Sequence, residues 1–158
     1  MKALIFDMDG VIVDNGRYHY EAWRKYAARL GKKVSFEEVK SWFGSTNVKI
    51  LKNLIGGKLN TEEIQLHSDE KEKLYRQLFK KEIRALKGLE EFLKDAQKAG
   101  LKLGMATSAP PANVDFVLRH TGLREYFDTI TDDTQIANGK PHPEIFLKTA
   151  EKLGVNTR

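Results

Sequence analysis

Met1-Lys2-Ala3-Leu4-Ile5-Phe6-Asp7-Met8-Asp9-Gly10-Val11-Ile12-Val13-Asp14 opens the chain, and the remainder is read outward from it. The apolar run at 3–6 predicts a short buried strand. Asp7, Asp9 and Gly10 follow at its carboxyl end, where open α/β sheets bind their ligands. A carboxylate there serves as a nucleophile, a metal ligand or an acid/base group. An acidic turn closing a strand reads the same way, since Asp and Gly are ordinary turn residues. A calcium-binding EF-hand loop is excluded. That loop needs glycine at its sixth position and an oxygen ligand at its fifth, whereas Gly10 is fourth from Asp7 and Val11 is fifth.

After Asn15-Gly16 the alternation of strand and helix is suspended. Helical periodicity runs from Tyr18 to Leu30, then in a short helix opened by Ser35-Phe36-Glu37-Glu38, whose Ser-to-Glu spacing is that of a capping box. A third apolar face is carried by Val48, Leu51, Leu54 and Ile55. Thr61 is expected to cap a long fourth helix with Ile64, Leu74, Tyr75, Leu78 and Phe79 on one side. Residues 15–85 therefore read as an all-helical insertion. Beyond Gly88 the alternation resumes: helix from Leu89, strand at 101–106, helix at 113–120, strand at 127–131, and a helix started by Pro141-His142-Pro143. Strands joined by helices imply a parallel sheet covered on both faces. The expected fold class is α/β: a doubly wound parallel-sheet core, residues 1–14 and 87–158, with an inserted helical bundle at 15–86.

With 41% apolar and 31% charged residues the chain is a globular domain rather than a disordered one. No apolar stretch approaches the roughly 20 residues of a membrane span, and no signal-peptide pattern precedes the first strand. With no cysteine there is no disulfide framework, thiol nucleophile or thiolate metal site. A cytoplasmic location is expected. The net charge of +5 invites a nucleic-acid reading. Against it, basic residues alternate with acidic ones, as in Asp69-Glu70-Lys71-Glu72-Lys73, a pattern expected of a solvated helical face. Neither nucleic acid nor membrane is expected as a partner.

Three polar clusters fall where such a sheet would gather them: Asp7 with Asp9, Thr107 with Ser108, and Lys140. A hydroxyl, backbone N–H groups at a turn and an ammonium make a phosphate site. Two carboxylates beside it suit metal-assisted phosphoryl transfer. Taken singly, Thr107-Ser108 reads equally as a helix cap and Lys140 as one exposed lysine among many.

The segments Asp7-Met8-Asp9-Gly10-Val11, Ala106-Thr107-Ser108-Ala109 and Gly139-Lys140-Pro141-His142-Pro143-Glu144-Ile145-Phe146 together resemble the haloacid dehalogenase superfamily. The resemblance is to its subfamily with a helical cap after the first strand, which includes phosphoglycolate-type and sugar-phosphate phosphatases and β-phosphoglucomutase. It covers essentially the whole chain. It implies a Rossmann-like core and an enzyme that hydrolyses a small phosphorylated metabolite. Asp7 would be the nucleophile forming an aspartyl-phosphate. Asp9 would be the general acid/base, with its carbonyl and Asp7 holding Mg²⁺. Gly10, Thr107 and Ser108 would bind the phosphoryl oxygens, and Lys140 would neutralise charge shared by Asp7 and the phosphate. A carboxylate attacks an anionic phosphate only where cations cancel the repulsion.

Two departures qualify the resemblance. The family's fourth motif, an acidic pair completing the Mg²⁺ site, would begin within a few residues of Arg158 and is absent. The last core strands are thus expected to be missing, leaving a C-terminally incomplete piece, inactive or phosphate-binding only, that would be a monomer when complete. Asp132 and Asp133 are read as loop residues rather than substitutes. In the insertion, His19 matches a histidine that approaches substrate in β-phosphoglucomutase. Asn47, in Gly44-Ser45-Thr46-Asn47, stands where that enzyme grips a second phosphate with arginine. His19, Thr46 and Asn47 are the substrate candidates, and the lost cation favours a phosphatase over a mutase.

Overall fold

The computed structural model describes residues 2–57 and 59–156. The chain divides into two compact units, one formed by Met1–Asp14 with Ile83–Arg158 and the other by Asn15–Glu82.

The first unit is built on a parallel sheet of β1 (Ala3–Phe6), β2 (Lys102–Ala106) and β3 (Thr129–Thr131), in the order β1-β2-β3. Ile5 pairs with Gly104 and Phe6 with Met105, while Gly104 also pairs with Thr129. Paired residues point to the same side, so the register defines two faces. One carries Ile5, Gly104 and Thr129 and takes α7 (Glu144–Lys152). The helix lies so close that a Cβ on Gly104 would stand 2.7 Å from Thr149 Cγ2 and 3.0 Å from Leu153 Cδ1. The other carries Phe6, whose ring meets Phe92 of α5 (Leu89–Lys98) edge-on at 6.2 Å. The sheet is thus covered on both sides, the parallel α/β arrangement the alternation predicted and the Rossmann-like core the resemblance implied. β2 and β3 are joined by α6 (Pro111–Thr121), stopped by Gly122 in the left-handed region.

β3 is shorter than the expected 127–131. Arg124–Tyr126 form a 3₁₀ turn, and Phe127 packs edge-on against Phe6 at 6.0 Å. Asp128 is tied to β2 instead. Its carboxylate accepts from Leu103 N at 2.7 Å, and its N–H donates to Leu103 O at 2.8 Å.

The second unit comprises α1 (Gly16–Arg29), α2 (Phe36–Ser41), α3 (Asn47–Ile55) and α4 (Thr61–Phe79) around Trp23, Tyr26, Ile50, Leu51 and Leu54. The Ser35–Glu38 capping box forms as its spacing predicted. At α4 the cap is Asn60, not Thr61. Asn60 accepts from Glu63 N at 2.9 Å, and Glu63 returns the bond to Asn60 N. The acceptor must sit three residues before the N–H it satisfies, which leaves Thr61 as the first helical residue. The helix ends at Phe79, and Ala85 pairs with Val13 in an antiparallel bridge inside the first unit. The all-helical reading therefore ran a few residues too far. The solvated-face reading of 69–73 is corrected too: Lys71 and Glu72 are 1% and 3% exposed. They fall in phase with Ile64, Tyr75 and Phe79 on the buried side of α4.

Candidate active site

Every strand of a parallel sheet ends on the same side, so the carboxyl ends of β1 and β2 bring Asp7 and Thr107 to one rim. After Asp7 the chain turns back sharply. Gly10 takes a φ of 79°, and its N–H donates to Val13 O at 2.8 Å. The turn is anchored from below by Met8, Ile12 and Val13, all fully buried. Gly10 supplies the left-handed conformation at no steric cost. The D-x-D-G spelling is therefore a turn, with Asp7 and Asp9 at the carboxyl end of β1.

Asp7 Oδ1 accepts from its neighbour's amide, Met8 N, at 2.8 Å and from Lys140 Nζ at 3.0 Å. Lys140 also donates to Ala106 O, the last carbonyl of β2, at 3.2 Å, and its ammonium stands 5.1 Å from the centre of the Phe146 ring. The lysine is only 16% exposed while the Asp7 side chain is 35% exposed. The carboxylate therefore remains open to a reactant while its partner cation is held from behind.

Thr107 is fully buried. Its N–H donates to Thr131 O at 3.0 Å, extending the β2–β3 ladder by one rung, and its Oγ1 accepts from Ala109 N at 3.1 Å. That bond shapes the loop and leaves the hydroxyl proton to donate. The helix-cap alternative is not what forms, because the N-cap of α6 is Pro110, with Pro111 as its first residue. Ser108, half-buried, follows in the same turn. Asp132, at the end of β3, accepts from Thr134 N at 3.0 Å and caps the short turn Asp133–Gln135. This agrees with its reading as a loop residue.

Asp7 and Asp9 are hard oxygen donors, the class that Mg²⁺ takes, commonly through one or two carboxylates with water and substrate phosphate completing its shell. The donor chemistry at the end of β1 is of the class that such an ion takes. Among the described residues no group of three or more His, Asp and Glu side chains comes together.

The remaining candidates belong to the helical unit. Lys71 Nζ lies 2.8 Å from Glu72 Oε1 and 3.0 Å from His19 Nδ1, and 4.7 Å from the centre of the Trp23 ring. An ammonium only donates, so His19 accepts at Nδ1 and carries its proton on Nε2. Its ring stacks on Tyr75 at 3.9 Å. Asn47 Nδ2 donates to Ser68 Oγ at 2.8 Å and to Glu72 Oε1 at 2.7 Å, which engages both of its amide hydrogens. Thr46 stands at the N-cap position of α3 without a side-chain capping bond. Lys71 and Glu72 went unseen in the sequence because they sit in a charge-rich run. The available signal was their phase, seven and eight residues after Ile64.

A family profile described as haloacid dehalogenase-like hydrolase matches residues 1–158. The chain belongs to that family. It is 33% identical over 159 residues to the phosphorylated carbohydrates phosphatase of Thermotoga maritima, covering 98% of this chain and 72% of the relative. It is 32% identical over 163 residues to the β-phosphoglucomutase of Bacillus subtilis, covering 99% of this chain and 71% of that one. The crystal structure of β-phosphoglucomutase from Clostridium difficile superimposes with a TM-score of 0.87 at 36% identity, over 99% of this chain and 72% of that chain. No helix among the described residues is long and apolar enough to cross a membrane.

Proposed function

We propose that this haloacid dehalogenase-type phosphatase hydrolyses a small phosphate monoester, a phosphorylated carbohydrate, in the cytoplasm, using Asp7 as nucleophile. The observation that carries the reading is the ion pair at the sheet rim, Lys140 Nζ to Asp7 Oδ1 at 3.0 Å, beside the Thr107 turn. An Asp7 oxygen attacks phosphorus and the ester P–O bond breaks. The departing oxygen takes a proton from the Asp9 carboxyl. Asp9, now a carboxylate, accepts a proton from water as the water oxygen attacks the aspartyl-phosphate, releasing phosphate and restoring Asp7. Thr107, Ser108 and the Gly10 turn hold the phosphoryl oxygens, and Lys140 offsets the negative charge that Asp7 and phosphate share. Mg²⁺, bound by Asp7 and Asp9, would add charge neutralisation when present.

The helical unit, as a cap, selects the substrate, with His19, Thr46 and Asn47 as its contact candidates. Asn47 supports hydrolysis over mutase chemistry, because it is uncharged and its amide is engaged by Ser68 and Glu72. A mutase reading is favoured by the relatives named β-phosphoglucomutase. The two separate on one assay, Mg²⁺-dependent release of phosphate from sugar monophosphates against conversion of β-glucose 1-phosphate to glucose 6-phosphate. Net phosphate release is expected. Isomerisation exceeding release would overturn the phosphatase reading.

A further inference from the structure

Lysine carries its charge on a flexible four-carbon stem. If Lys140 is to stay against Asp7, the backbone that presents it must be fixed. Lys140 lies in the loop between the turn Asp133–Gln135 and α7. That loop has few ladder bonds of its own. Its order comes instead from one carboxylate at the first position of α7. Glu144 Oε1 accepts from Ala137 N at 2.9 Å and Glu144 Oε2 from Asn138 N at 2.9 Å. Asn138 Nδ2 adds a third bond at 3.0 Å and Lys148 Nζ an ion pair at 2.9 Å. Two successive N–H groups on one carboxylate fix both the position and the tilt of that backbone, two to three residues before Lys140. On the far side His142 N donates to Gly139 O at 3.2 Å, and His142 Nδ1 accepts from Glu144 N at 3.2 Å.

We propose that Glu144 is a positioning residue for Lys140: its carboxylate ties the start of the loop to the first turn of α7 and so holds the ammonium on Asp7 and Ala106 O. The assignment rests on the reading of Asp7 and Lys140 given above. A glutamate in a first helical turn has a simpler use, complementing the helix dipole. That role needs no bond to Ala137 or Asn138. The bonds themselves keep the group ionised: the Ala137 amide first, then Lys148 and Asn138, lower it from 4.5 to about 2. The strap is therefore closed throughout the pH range in which a phosphatase would be assayed. Phe146, two residues along α7 and under the ammonium, completes the cradle.

The test is a coupling measurement with a second readout that needs no turnover. Steady-state hydrolysis of p-nitrophenyl phosphate with Mg²⁺ is compared for wild type, Glu144→Ala, Lys140→Ala and the double variant. Displacing a catalytic cation by about 1 Å is expected to lower kcat roughly 10- to 100-fold with KM little changed. In the Lys140→Ala background the same substitution is expected to cost less than about 2-fold, within ordinary additivity error. An equal loss in both backgrounds overturns the proposal, because it would show an effect not routed through Lys140. Glu144→Gln, which keeps the shape and one acceptor, is the variant used if Glu144→Ala does not fold. The second readout is trace acylation of lysines by acetic anhydride, resolved by peptide mass spectrometry. Lys140 is expected to be protected in the wild type and severalfold more reactive, relative to the other lysines, in Glu144→Gln. Unchanged protection overturns the proposal. If the wild type hydrolyses nothing, the acylation result alone decides the role of Glu144.

Discussion

Lys71 and Glu72 are charged groups almost wholly removed from water, and they stabilise only as a set. Glu72 receives Lys71 and Asn47, and Lys71 also meets His19 and the Trp23 face. Breaking one side of such a pair leaves the other charge buried alone. Lys71→Met is expected to destabilise the chain by about 3–5 kcal/mol. Adding Glu72→Gln should recover a large part of that loss, since the substituted amide is neutral and keeps an acceptor for Asn47. Urea unfolding of both variants checks this, and a double variant no more stable than Lys71→Met would contradict it. Glu144 gives the pH counterpart. Its folded value is lowered, so its contribution is complete above the ordinary value of 4.5 and disappears as pH falls to about 2. The Tm difference between wild type and Glu144→Gln should be flat from neutral pH down to about 5 and shrink across that acid window. A difference that grows on acidification would refute the assignment of those bonds.

At the scale of elements, Gly104 sets the distance between sheet and helix. A methyl there meets Thr149 Cγ2 and Leu153 Cδ1 inside normal contact. Gly104→Ala is expected to destabilise by about 1–3 kcal/mol, the usual range for overpacking. Thr149→Ser should relieve part of it, because the serine keeps the hydroxyl that bonds Thr131 and Ile145 while deleting the clashing methyl. Thermal melts of the three variants test this, and an unperturbed Gly104→Ala protein would contradict the close approach. Most elements were legible beforehand because periodicity and punctuation agreed, as at Ser35 and Gly122. The rim was legible as well. Parallel strands collect their carboxyl ends, so the order Asp7, Thr107, Lys140 along the chain already implied proximity. What escaped reading depended on groups distant in sequence or on fine geometry. Asn60 rather than Thr61 capping α4 turns on which oxygen reaches Glu63 N. Burial of Lys71 depends on His19 and Trp23, about 50 residues earlier. The strap from Glu144 runs backwards from a helix whose start had been placed only at Pro141-His142-Pro143.

For the whole molecule, 27 basic residues stand against 22 acidic ones, and some of them form local pairs. Glu90–Lys94 at 2.7 Å, Glu21–Arg24 at 2.8 Å and Asp95–Lys98 at 3.3 Å are exposed pairs three or four residues apart on their helices. Such pairs contribute little to stability individually. The charge that matters for the proposed chemistry is at the sheet rim. There Lys140 faces Asp7, and the proposed function stands or falls with the nucleophilicity of that carboxylate. The most direct measurement is an acid quench of the protein during turnover of a sugar monophosphate with Mg²⁺, followed by mass spectrometry of the peptide bearing Asp7. The account predicts a phosphoryl group on Asp7 that is absent, together with turnover, in Asp7→Asn. A phosphoryl group on any other residue, or hydrolysis undiminished in Asp7→Asn, would contradict it.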